Sequence, residues 1–213
     1  FGYTVTTLVR NQDWINPEAL WTSGVNVNPR NGMLWYNLGH ELEDRNDLVG
    51  AWKAFHVAAD LDPLSSDGWT MLGIMALRNQ QLDLAEEKLK LALDGRSPTA
   101  TAHHNYAMVL LNKGGTDNLE LAISHLKSAV KLEPGLMQGH EMMGMALAEA
   151  GRSQEAVAAL SAALKLDPRN PNVLAKLQDL TRQSNPESVG SNSVDNSVES
   201  SPPAEKKSGL YAE

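Results

Sequence analysis

Two histidine–glutamate dipeptides, His40-Glu41 and His140-Glu141, are the residues of this 213-residue chain with the clearest chemical potential. A helical zinc site of the protease type needs a second histidine four places after the first, so that both imidazoles share one helix face. Those places hold Asp44 and Gly144, so a zinc site is not expected. His103 and His104 are adjacent, and on a helix neighbours point in different directions. The paired carboxylates Glu43-Asp44 and Glu86-Glu87 read as solvated helix faces. The chain has no cysteine, which removes thiolate nucleophiles, disulfides and thiolate metal sites and leaves the redox compartment open. It has no glycine-rich phosphate loop, Gly-x-Ser-x-Gly elbow or kinase motif. Neither a catalytic residue nor a cofactor is expected in this chain.

The elements that must position any functional residue are helices. Hydrophobic residues make up 42% of the chain and aromatics only 5%, with alanine and leucine prominent, a composition that favours an all-α fold. The formal net charge of -8 argues against nucleic acid or an anionic membrane surface as partner, because each needs a basic face to neutralise phosphates. No apolar run reaches the roughly 18 to 20 residues of a membrane-spanning helix. The chain starts at Phe1 with no signal-peptide pattern, and is expected to be a fragment with any membrane segments upstream.

An internal repeat organises the rest. Pro29 and Pro63 lie 34 residues apart, as do Pro134 and Pro168. Small residues recur at three positions: Gly39, Gly73, Ala107 and Gly144; Ala51, Ala85, Ala122 and Ala156; and Ala58, Ala92, Ala129 and Ala163. Between them stand large residues, Trp35 and Trp69 in first helices, and Phe55, Leu89, Leu126 and Leu160 in second helices. Small residues let two helices approach to about 8–10 Å between axes while the large ones fill the layer between. Each proline ends a second helix, where a free N–H is no longer needed.

This pattern resembles the tetratricopeptide repeat (TPR), with Trp35, Leu38-Gly39, Ala51, Phe55, Ala58 and Pro63 in register. The resemblance implies a helix-turn-helix solenoid wound as a right-handed superhelix. Four full repeats are expected at 32–65, 66–99, 100–136 and 137–170, after a half repeat at 15–31 in which Asn16 caps a helix opened by Pro17. Residues 171–184 carry Lys176, Gln178, Asp179 and Arg182 at apolar positions, as a solvating end helix would. Residues 185–213 are rich in Ser, Asn, Glu and Pro and are expected to be a disordered tail. Gly114-Gly115-Thr116-Asp117 is expected to lengthen the turn inside the third repeat by about three residues, and Pro98, one place late, to rotate the joint before it. His103 and His140 occupy the Trp position and are expected to pack between helices.

In such a stack the first helices line a concave groove, which the resemblance places at Tyr36, Asn37, His40, Thr70, Met71, His104, Asn105, Glu141 and Met142. The expected partner is a polypeptide. Asn37 and Asn105 can offer amides to an extended backbone, similar to the asparagine ladder of O-linked sugar transferases. Met71, Met75, Met142, Met143 and Met145 are candidates for an adaptable lining. The carboxylate clamp of TPR co-chaperones is not expected, because the places of its Lys, Asn, Asn, Lys and Arg hold Tyr36, His40, Met71, Thr101 and Asn105, with no cation among them.

The N-terminal stretch adds a narrower resemblance. Arg10, Asn11, Asp13 and Trp14, then Leu20 and Asn28-Pro29-x-Asn31, are similar to the linker of the transmembrane and TPR-containing protein O-mannosyltransferases. That resemblance implies that residues 1–14 are the end of a membrane helix and a linker. It also implies a parent enzyme of the endoplasmic reticulum membrane that uses dolichyl-phosphate-mannose, with this region lumenal and recruiting acceptor proteins. The alternative is a cytoplasmic TPR scaffold with no link to glycosylation.

Overall fold

The computed structural model describes residues 17–184. The expectations for residues 1–14, the Asn16 cap and the tail at 185–213 lie outside the described residues. Within them the chain is a run of helices without strands: α1 (Pro17–Val27), α2 (Gly32–Asp44), α3 (Leu48–Leu61), α4 (Ser66–Arg78), α5 (Leu82–Leu93), α6 (Ala100–Lys113), α7 (Thr116–Leu132), α8 (Met137–Glu149), α9 (Ser153–Leu166) and α10 (Pro171–Ser184). From α2 onward they pair as hairpins α2/α3, α4/α5, α6/α7 and α8/α9, each packed on the next, with α1 against α2 and α10 closing on α9.

Local chemistry starts and stops the helices. The side chains of Asn31, Asp47, Ser65 and Thr99 accept backbone N–H groups from Met33, Gly50, Asp67 and Ala102, and Asn170 does so for Asn172 and Val173. Pro63, Pro134 and Pro168 follow two residues after the ends of α3, α7 and α9.

Close approach holds each hairpin together. A Cβ added at Gly39 would lie 2.6 Å from the Phe55 ring, and one at Gly73 or Gly144 would lie 2.5 Å from Leu89 or Leu160. These partners are fully enclosed, as are Leu126 and all four of Ala51, Ala85, Ala122 and Ala156. The repeats are then tied across their turns. The indole N–H of Trp35 donates to the Pro29 carbonyl at 2.9 Å and that of Trp69 to the Pro63 carbonyl at 3.1 Å. The His140 ring Nε2 sits 3.1 Å from the Pro134 carbonyl, so the imidazole reproduces the indole bond when that nitrogen carries the proton. Exposed ion pairs also bridge successive units: Arg45 with Glu18, Arg78 with Glu43, Arg96 with Asp62, Lys113 with Asp83 and Glu86, and Arg152 with Glu120. At such exposure each contributes about 0–1 kcal/mol, so apolar burial dominates.

The third repeat departs from its expected form. Its inter-helix turn is not lengthened: α6 runs to Lys113, α7 starts at Thr116, and only Gly114 and Gly115 separate them. The additional residues are absorbed into α7, which has 17 residues against 14 in α3 and α9. Both glycines have positive φ, 71° and 91°, which lets the chain reverse in two residues and begin helical hydrogen bonding a turn early. Before the repeat, α5 ends at Leu93 and the turn lasts until Thr99, folded back on the previous turn. There the Arg96 N–H donates to the Leu64 carbonyl at 2.9 Å, and a Cβ on Gly95 would meet that same oxygen at 2.7 Å.

Gly73→Val is expected to destabilise the fold by about 1–3 kcal/mol through overpacking against Leu89, exceeding the benefit of removing a helical glycine, at most about 1 kcal/mol. Gly135→Ala, where an added Cβ meets nothing within 4 Å, is expected to be neutral or mildly stabilising; urea unfolding of both variants measures the contrast. Trp69→Ala, which removes a buried indole and its bond to Pro63, is expected to cost about 3–5 kcal/mol, and an unchanged urea midpoint would refute this packing.

Candidate functional site

The first helices α2, α4, α6 and α8 carry the expected groove residues, and the structure sorts them into two rows. One row is Tyr36, Thr70, His104 and Glu141, at equivalent places in the four repeats. It turns toward the seam between consecutive repeats. Thr70 is only 4% exposed and its hydroxyl donates to the Ser66 carbonyl at 2.7 Å, so it has almost no surface to offer a partner. Glu141 accepts from the Asn170 amide at 3.0 Å, which ties α8 to the cap of α10. Tyr36 stacks edge-on with His40 and Phe55, and burial, then Asp67 and Glu43, push its phenol above the ordinary range. His104 has its Nε2 shielded without a partner, and burial pushes its pKa down.

The second row is Asn37, Met71, Asn105 and Met142, all half-buried. Asn105 donates its amide to the Thr101 carbonyl at 2.8 Å, which orients the side chain and leaves its oxygen as an acceptor. Met71 and Met142 rest on the core with part of each side chain in solvent. One helical turn further on stand His40, Ile74, Met108 and Met145, also half-buried. Ile74 and Met108 were absent from the expected set, although the repeat register that marks His40 also marks them. Of the other methionines, Met75 is core at 5% exposure and Met143 is half-buried against the core.

Two of the concavities beside these helices adjoin α4. A cavity of about 520 Å³ opens between the N-terminal ends of α2 and α4, lined among others by Arg30, Asn31, Met33, Tyr36 and Asp67. A more apolar one of about 290 Å³ lies at the start of α3, where Leu48, Val49 and Trp52 face Met75 and Leu84.

His103 occupies the Trp position but cannot make the indole bond, because the preceding turn is displaced. Instead its Nδ1 lies 2.9 Å from Nδ1 of His125 on α7, and the His125 ring meets Tyr106 edge-on. That contact needs one protonated and one bare nitrogen. Burial lowers the pKa of His103, and burial together with the His103 charge lowers that of His125.

Family models match at two places: residues 36–101 match a tetratricopeptide-repeat model, and residues 138–170 match another. Those two segments are therefore tetratricopeptide repeats, and the described residues fold as a tetratricopeptide-repeat helical solenoid. It is 26% identical over 183 residues to the human protein O-mannosyl-transferase TMTC3, covering 80% of this chain and 20% of that protein. It is 41% identical over 56 residues to mouse protein O-mannosyl-transferase TMTC2, covering 26% of this chain and 6% of that protein. The chain thus spans about a fifth of the length of the TMTC3 relatives. Among solved structures it is similar to YrrB, described as a TPR protein with an unusual peptide-binding site, with a TM-score of 0.67 and 20% identity over 78% of this chain and 85% of that one. No described helix is long and apolar enough to cross a membrane.

The three half-buried imidazoles of His103, His104 and His125 give the stability a pH dependence of definite sign. Their folded pKa values lie below the unfolded value near 6.5, so the unfolded chain binds more protons in acid. Their contribution is full above about pH 6.5 and is lost as the pH falls through the lower folded values. The melting temperature is expected to drop between pH 7.5 and pH 5, and to drop less in His125→Leu.

Proposed function

We propose that this chain recognises polypeptide along the face of its first helices, as the acceptor-recruiting lumenal arm of a membrane protein O-mannosyltransferase in the endoplasmic reticulum. The observation that carries this reading is the similarity to protein O-mannosyl-transferases across 80% of the chain, well beyond a single repeat. The parent would use dolichyl-phosphate-mannose, and mannose transfer would be performed outside this chain. Its own residues would hold an acceptor in an extended form: Asn37 and Asn105 would hydrogen-bond its backbone, while Met71 and Met142 would cover its side chains. A rigid stack of half-buried side chains lowers the ordering cost of capture.

The test uses the full-length parent. Asn105→Ala removes one backbone contact, about 1 kcal/mol or roughly five-fold in acceptor affinity, and should leave the melting temperature nearly unchanged. Mass spectrometry of acceptor proteins is expected to find less O-linked mannose, with binding of the lipid-linked donor unaltered. Undiminished mannose after replacement of residues 32–170 by an unrelated TPR array would refute the recruiting role and favour a scaffold without a link to glycosylation.

A further inference from the structure

The first-helix face carries a chemical pattern specific enough to describe its occupant. Its middle is uncharged and largely aliphatic: Met71 and Ile74 on α4, Met108 beside Asn105 on α6, and Met142 and Met145 on α8, all half-buried. Its ends are acidic. At the α2 end lie Glu43 and Asp44, with Asp67 at the start of α4, and at the α8 end lies Glu149. Of the cations beside them, Arg78 is paired with Glu43 across the α2–α4 seam and Arg45 with Glu18 and Glu41, while Arg30 shares a cavity with Asp67. Asp44 and Glu149 are exposed.

We propose that this stripe takes an extended partner segment with aliphatic side chains in its middle and lysine or arginine at both ends. The proposal rests on the first-helix face being the binding face and adds the chemistry of the ligand. With about 8–10 Å as the least separation between neighbouring first helices, the four span at least roughly 24–30 Å, or about seven to nine extended residues. Thioether side chains repack around aliphatic groups of different shape, so the middle selects apolarity rather than one residue. The acidic ends attract basic flanks and repel acidic ones, which sets orientation and partner choice. An acidic tail peptide is therefore the wrong ligand for this stack.

Fluorescence anisotropy with the whole chain tests the idea using two ten-residue peptides. Both alternate leucine and serine in the middle; one carries Lys-Arg at each end, the other Glu-Glu. The basic peptide is expected to bind at least about ten-fold tighter at low salt, with the gap narrowing at high salt as charges are screened. Asp44→Asn with Glu149→Gln, both at exposed sites, should shrink the preference while the circular dichroism spectrum stays unchanged. Equal binding of the two peptides, lost in Ile74→Asn with Met108→Asn, would overturn the charge proposal and leave the binding face standing. Binding of the basic peptide that survives Ile74→Asn with Met108→Asn but is lost in Leu48→Lys with Val49→Lys would overturn the binding face itself.

Discussion

The absence of a side chain at Gly39, Gly73 and Gly144 is the constraint on which the structure depends. At these places an added methyl group would stand about 2.5 Å from Leu89 or Leu160, or 2.6 Å from the Phe55 ring, well inside contact distance. The two helices of a hairpin can therefore press a large side chain of one against the bare backbone of the other. Because this pairing recurs in three hairpins, and Ala107 keeps the same place small in α6, the hairpins stack as similar units. Stacking equal units then brings equivalent residues of successive first helices side by side, and only then does a continuous face exist.

Adjacent hairpins are joined by a second recurring device, a ring N–H reaching the carbonyl of the proline that ended the preceding helix. Trp35 and Trp69 do this with indole, and His140 places an imidazole nitrogen at the same distance. The third repeat cannot, because its preceding turn is longer and lies against the turn before it. His103 turns instead to His125, a contact that needs one imidazole nitrogen unprotonated and is broken when both rings carry a charge.

Much of this was legible in the chain. The 34-residue spacing of prolines, small residues and large residues marks the hairpins, because packing of identical units demands the same residue sizes at the same places. The insertion at Gly114-Gly115 was misread as a longer turn. Whether inserted residues extend a loop or a helix depends on where backbone hydrogen bonding resumes, and two glycines with positive φ allow it to resume early. The groove residues were only partly legible. Thr70 has the right register and is buried all the same, while Ile74 and Met108 sit on the accessible row one turn further along.

The sequence by itself determined the class of fold, the helix pairs and the order of first helices along the stack, since these follow from periodicity and residue size. Only the tertiary structure decided which residues of those helices reach solvent. The tilt of one hairpin on the next sets this, through contacts among residues 29 to 34 positions apart, such as Asn170 with Glu141 and Arg96 with Asp62. A local pattern carries no information about that tilt, so Glu141 became part of a seam and Met108 part of a surface for reasons that lie in neighbouring repeats.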